Sequence, residues 1–179
     1  MRSLLAIAVL AATGPVASAG TYIGLGIGTA PSVGNDTITG AQNDGRSGRL
    51  LLGQSFGLPI GRLAIEGEAN RFSMILNGEG YDSTMLGVDL KYSLPLGNGF
   101  EAFGRLGLER SWLSANGDAS DYEGSGDGYY VGLGFEYRIA IFGSLFVDYE
   151  RQSSTIDSPT STTYGQTAGM FTFGATINL

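Results

Sequence analysis

From Gly128 to Ile139 the chain alternates without a break. Tyr129, Val131, Leu133, Phe135 and Tyr137 fall on one face of an extended strand, and Tyr130, Gly132, Gly134, Glu136 and Arg138 on the other. Seven more stretches carry the same period of two, at residues 21–28, 48–56, 62–72, 83–93, 100–112, 144–152 and a last strand that closes with Phe171, Phe173, Ala175, Ile177 and Leu179 on its apolar face. The face opposite is built from glycine, small polar residues and charge. A soluble sheet would put its charges toward water and its apolar side chains inward. Here the charges share their face with glycines that leave room in a narrow space, so the apolar face points out, toward lipid.

The connections divide into two kinds. Short turns are expected at 57–61, 95–99 and 140–143, where Gly57, Pro59, Gly61, Pro95, Gly97 and Gly99 punctuate the chain. Long polar loops are expected at 29–47, 73–82, 113–127 and 153–165. An even strand number with that asymmetry describes an all-β, eight-stranded antiparallel up-and-down transmembrane barrel, with termini and short turns in the periplasm and four long loops outside the cell. Phe56, Tyr92 and Tyr137 then form one aromatic girdle and Trp112, Tyr129 and Tyr149 the other, while Leu106 and Leu133 face lipid near mid-membrane. On this reading an arginine at Leu106 is costly, while one at Gly128 costs little by the same mechanism of burying charge in lipid.

Residues 1–19 read as a signal peptide. Arg2 supplies the charged start, Leu4 to Ala12 an apolar run too short to span a bilayer, and Ala17-Ser18-Ala19 a small-residue cleavage site before Gly20. The barrel domain is therefore expected over residues 20–179. Cysteine is absent, which removes disulfides and thiol chemistry, and histidine is absent too. A formal charge of −7 argues against nucleic acid as a partner.

Inward positions carry seven acids, Glu66, Glu68, Asp89, Glu109, Glu136, Asp148 and Glu150, and the bases Lys91, Arg105 and Arg138, with Arg49 on a strand of ambiguous face. Neighbouring strands interleave the signs, which predicts a lumen charge network: Lys91 between Glu66 or Glu68 and Glu109, Arg105 between Asp89 and Glu136, Arg138 beside Asp148. Eight strands leave an interior that side chains can fill, so ion pairs are expected to plug it. Asp118, Asp121, Glu123 and Asp127 offer hard oxygen ligands but miss the calcium-loop spacing, and no metal or cofactor is expected.

Tyr22-Ile-Gly-Leu-Gly-Ile-Gly, Leu63-Ala-Ile-Glu-Gly-Glu-Ala and Val131-Gly-Leu-Gly-Phe-Glu-Tyr-Arg resemble stretches of the small outer-membrane β-barrel proteins that include the opacity-type surface antigens and the transmembrane domain of outer membrane protein A. The resemblance covers the whole mature chain and carries no catalytic motif. It implies a bacterial outer-membrane location, a lipid and lipopolysaccharide environment, a monomer, and insertion by the barrel-assembly machinery, which in this family reads an outward terminal aromatic. This chain ends instead on Leu179, which keeps the outward parity of Phe173. It stops at the eighth strand, so no peptidoglycan-binding domain is expected to follow.

Two functional classes remain. One is a structural and surface-interaction protein that displays its loops to host surfaces, phage or lipopolysaccharide; the alternative is a small passive channel or porin-like uptake protein. An enzyme is not expected, since barrel hydrolases of this membrane lean on histidine as a base near neutral pH and the chain has none.

Overall fold

The computed structural model describes residues 20–29, 32–35, 45–76, 79–115, 123–139, 142–157 and 163–179. They form strands β1 (Gly20–Gly28), β2 (Ser32–Asn35), β3 (Ser47–Gly57), β4 (Arg62–Leu76), β5 (Glu79–Gly97), β6 (Phe100–Ala115), β7 (Gly124–Ile139), β8 (Gly143–Asp157) and β9 (Thr163–Asn178). Each strand from β3 on pairs antiparallel with the next. β1 pairs with β3 on one side and β9 on the other, which closes the sheet. β2 continues the wall along β9 after a one-residue change of register, so the ring has eight staves.

Its geometry follows from the register. The row Ser93, Phe103, Gly134, Asp148, Thr172, Gly28, Ser47, Phe72 runs once round the barrel and returns to β5 at Ser83, ten residues from its start. For eight strands this stagger implies a tilt of ~40° and an interior only about as wide as the side chains that fill it. Each residue then adds ~2.5 Å of height along the axis.

Outward positions carry the apolar residues: Leu25, Leu52, Leu90, Leu106, Leu133 and Phe173 are all exposed. Inward positions are buried along the same strands. Leu50, Leu51 and Leu52 resolve as out, in, out, with Arg49 buried inside. Between β5 and β6 the turn is Asn98-Gly99, both in the left-handed region that this tight connection requires (φ 52° and 83°). The strand continues through Pro95, at a register irregularity where proline is tolerated.

Three expectations need correction. The chain between 73 and 82 is mostly strand: β4 and β5 pair as far as Leu76 and Glu79, leaving two residues between them. Likewise β6 reaches Ala115, β7 begins at Gly124 and β8 runs to Asp157. Beyond the lipid the outward side chains turn polar and the alternation fades from the sequence, but the ladder continues because paired backbone is still better than unpaired. Second, Tyr149 lies in register with Leu133 and Phe171, six residues into a β8 that runs for fifteen, so it sits within the apolar band and below Trp112 and Tyr129. Third, Gly128 is no neutral site. A Cβ there would stand 2.4 Å from the Ser153 carbonyl oxygen, so any side chain is excluded.

Leu106 and Ser114 face outward on the same strand, Leu106 in the band and Ser114 near the end of β6. Leu106→Arg is expected to cost about 2–4 kcal/mol in refolding titrations, and Ser114→Arg close to nothing. Equal losses at the two sites would mean that the apolar band is misplaced.

Candidate functional site

The site is the lumen. At its centre two guanidinium groups are gripped by four carboxylates. Arg49 on β3 meets Glu68 at 3.0 Å, Asp148 at 2.7 Å and Glu150 at 2.9 Å. Arg105 on β6 meets Glu68 at 3.0 Å, Glu66 at 3.5 Å, Asp148 at 3.6 Å and Glu150 at 3.9 Å. All six side chains are 0–1% exposed, so the cluster is buried inside the barrel. Charges so buried persist only when paired on several sides.

Below the cluster, toward the short turns, Lys91 pairs with Glu136 at 2.7 Å and more loosely with Glu66 at 3.8 Å. Its ammonium lies 4.3 Å from the centre of the Phe103 ring, a cation–π contact. Leu51, Phe103 and Phe146 form an apolar cluster inside the barrel. At the mouth Glu101 is held by Arg62, at 2.5 Å, and by Arg138. A lumen cavity at this end, lined by Tyr22, Ser55, Lys91 and Glu136, has about 10 Å³, room for about one water.

Two acids near the centre accept a hydrogen bond from tyrosine, Glu66 in addition to its cations and Asp89 without a salt bridge among the described residues. The Tyr22 hydroxyl donates to Glu66 at 2.5 Å and the Tyr130 hydroxyl to Asp89 at 2.8 Å. Both rings lie across neighbouring glycines: a Cβ at Gly53 would come within 2.3 Å of Tyr22, and one at Gly107 within 2.3 Å of Tyr130. Glu109 accepts a hydrogen bond from Ser111. Above the charges, toward the other end, Phe72, Tyr81, Met85, Leu113, Ile156 and Met170 point inward and are buried.

The sequence places all seven acids on the inner face, and they are buried there. Lys91 meets Glu66 as expected, but the other pairings differ. Glu136 is held by Lys91 rather than Arg105, Asp89 by Tyr130, and Arg138 by Glu101 rather than Asp148. Expected partners were on adjacent strands, whereas most observed pairs join strands two or three apart, because long side chains in so narrow a tube span it as chords. Arg62 and Glu101 were missed, although each shares the inward parity of its own strand. Asp118 and Asp121 lie outside the described residues, and Asp127 faces outward, 3.3 Å from Arg110. Among the described residues no group of acids is arranged to hold a metal ion.

Arg105→Ala would strand several carboxylates and is expected to destabilise the barrel by about 3–5 kcal/mol. Arg62→Ala, at the partly exposed mouth, should cost much less. Denaturant refolding in detergent checks both. Comparable losses would show that the central cluster is no more demanding than the mouth.

The family model for the outer membrane protein beta-barrel domain matches residues 3–178. No curated protein matches the sequence. Among solved structures, Neisserial surface protein A superposes with a TM-score of 0.69 at 12% identity, over 90% of this chain and 99% of that one. Ail, the attachment invasion locus protein of Yersinia pestis, gives 0.53 at 14% identity, over 90% and 97%. The outer membrane enzyme PagL gives 0.54 at 17%, over 86% and 97%. At such identities these likenesses speak for the fold alone. With a closed ring of eight strands, an apolar outer wall and a family match over nearly its whole length, the chain belongs to the outer membrane protein β-barrel domain family and is a bacterial outer-membrane barrel.

Proposed function

We propose that the protein is a structural and surface-interaction barrel whose lumen is closed to free flow. The observation that carries this is the Arg49 and Arg105 cluster: six buried side chains fill the bore at mid-height, with buried apolar side chains above them. Water and ions have no ready path through such a stack. The short turns then face the periplasm and the other end the outside, as is usual for barrels of this membrane. The leader at residues 1–19 serves export and lies outside the described residues.

Catalysis is not part of the proposal, even though one similar fold is an enzyme. The chain has no histidine, and its buried carboxylates are committed to cations, tyrosines or serine. What remains for interaction is the outer rim, where β4 and β5 carry their hairpin to Leu76 and Glu79.

A passive channel is the second reading. Among the described residues eight inward acids (Glu66, Glu68, Asp89, Glu101, Glu109, Glu136, Asp148 and Glu150) face five bases (Arg49, Arg62, Lys91, Arg105 and Arg138), so any pore that opened would favour cations. Single-channel recording on refolded protein decides between them. The wild type is expected to show no steady conductance, and Arg105→Ala to introduce a cation-selective one. Steady wild-type conductance would favour the channel.

Orientation is read separately on intact cells. Added protease should cut in the polar connections around residues 36–44 or 116–122 and spare the short turns. Cuts that appear only after the outer membrane is opened would reverse the orientation.

A further inference from the structure

Three arginines interrupt the apolar outer wall. Arg71, Arg110 and Arg151 stand nine, ten and eight residues above Arg62, Phe100 and Gly143, the first residues of β4, β6 and β8. At ~2.5 Å of height per residue they lie roughly 20–25 Å above the short-turn end, close to the ~25 Å height of an outer-membrane apolar band. They therefore mark its far edge.

Two of the three are neutralised. Arg71 pairs with Asp82 at 2.9 Å, and Arg110 pairs with Asp127 at 3.3 Å and lies 5.8 Å from the Trp112 ring. Arg151 is exposed and has no acidic partner among the described residues. It also heads a groove of about 790 Å³ in the lipid-facing wall. The groove exists because the outward positions on β6 beside it are Ala102 and Gly104, which leave a floor between Leu90, Leu106 and Leu133. A second groove, about 480 Å³, runs over Gly48 and Ala69 to Arg71, so it has the same plan with its cation already satisfied.

We propose that the Arg151 groove binds a phosphorylated lipid of the outer leaflet, the lipid A anchor of lipopolysaccharide, with an acyl chain along Ala102 and Gly104 and a glucosamine phosphate on Arg151. The proposal rests on the orientation given under Proposed function, which sets Arg151 at the outer leaflet. An unpaired guanidinium at the edge of an apolar layer is poorly solvated, and its planar fork suits a phosphate better than any other group found at that depth. An apolar trough running from that cation into the bilayer core matches a lipid in both of its parts, headgroup and chain. The paired Arg71 groove provides an internal comparison.

Refolded protein, delipidated in detergent, would be titrated by native mass spectrometry with bisphosphorylated lipid A, with the same lipid A dephosphorylated, and with phosphatidylglycerol. Each variant is first checked for the heat-dependent gel shift of a folded barrel. Bisphosphorylated lipid A should bind one to one, about tenfold tighter than the dephosphorylated form, the worth of one charge-assisted contact. Arg151→Gln should remove that tenfold and leave the dephosphorylated lipid unaffected, while Arg71→Gln should change neither. Gly104→Leu, or Ala102→Leu should the first not fold, fills the groove and should weaken both lipid A forms. Equal binding of the two forms, unchanged binding in Arg151→Gln, or phosphatidylglycerol binding as tightly as lipid A would overturn the proposal. So would a dimer that Gly104→Leu abolishes, since a second copy would then own the groove. The protease experiment on cells reads orientation independently, so a reversed barrel and an empty groove give different results.

Discussion

Closure of β1 on β9 is the interaction on which the rest depends. Lipid offers no hydrogen-bond partners, so a sheet that crosses it must leave no edge. Tyr22 to Gly28 pair along Asn178 to Thr172, and the two ends of the chain meet in one ladder. That junction also completes the ten-residue stagger, which sets the tilt and the width of the tube. Everything inside must fit the width, and everything outside must fit the lipid.

The inside meets this demand with charge at its centre and apolar side chains on either side of it. The interior of an eight-stranded barrel is just wide enough for side chains to fill, and here the inner wall is rich in acids. Arg49 and Arg105 each bind several carboxylates at once, which turns like-charged neighbours such as Glu68 and Glu150 into co-ligands of shared cations. Tyr22 adds a donor to Glu66 beside its cations and Tyr130 supplies one to Asp89, and the glycines beneath their rings make room for them. The outcome is a buried network in which each central cation is shared by several acids. Loss of one central cation leaves acids that neither lipid nor water can serve.

On the outside, the same alternation yields a band of aliphatic and aromatic residues with arginines at its far edge. Phe100 packs on Tyr137 near the short turns, with ring centres 4.7 Å apart, and Tyr149 packs on Phe171 within the band at 4.9 Å. Aromatics thus serve both as interface anchors and as cross-strand packing inside the layer. The level of a residue on its strand, not its type, separates the two uses.

Strand number, the inward and outward face of nearly every residue, and the lipid-facing character of the wall were legible in the sequence, because side-chain parity is a local property of extended backbone that no distant contact can alter. The run of Leu50, Leu51 and Leu52 left one strand's face ambiguous, and the structure resolves it with Arg49 and Leu51 inside. Partner choice was not legible. Whether Lys91 meets Glu136, or Arg138 meets Glu101, depends on tilt, stagger and bore, quantities that exist only once the ring has closed. The strand ends were hidden for a related reason: past the lipid the ladder of β4 with β5 persists while the apolar signal that marked it stops. Tyr149 was misplaced because height in the membrane is counted from the turn at Gly143, along a strand whose full length the sequence does not print. Parity belongs to the chain, while pairing and depth belong to the closed barrel.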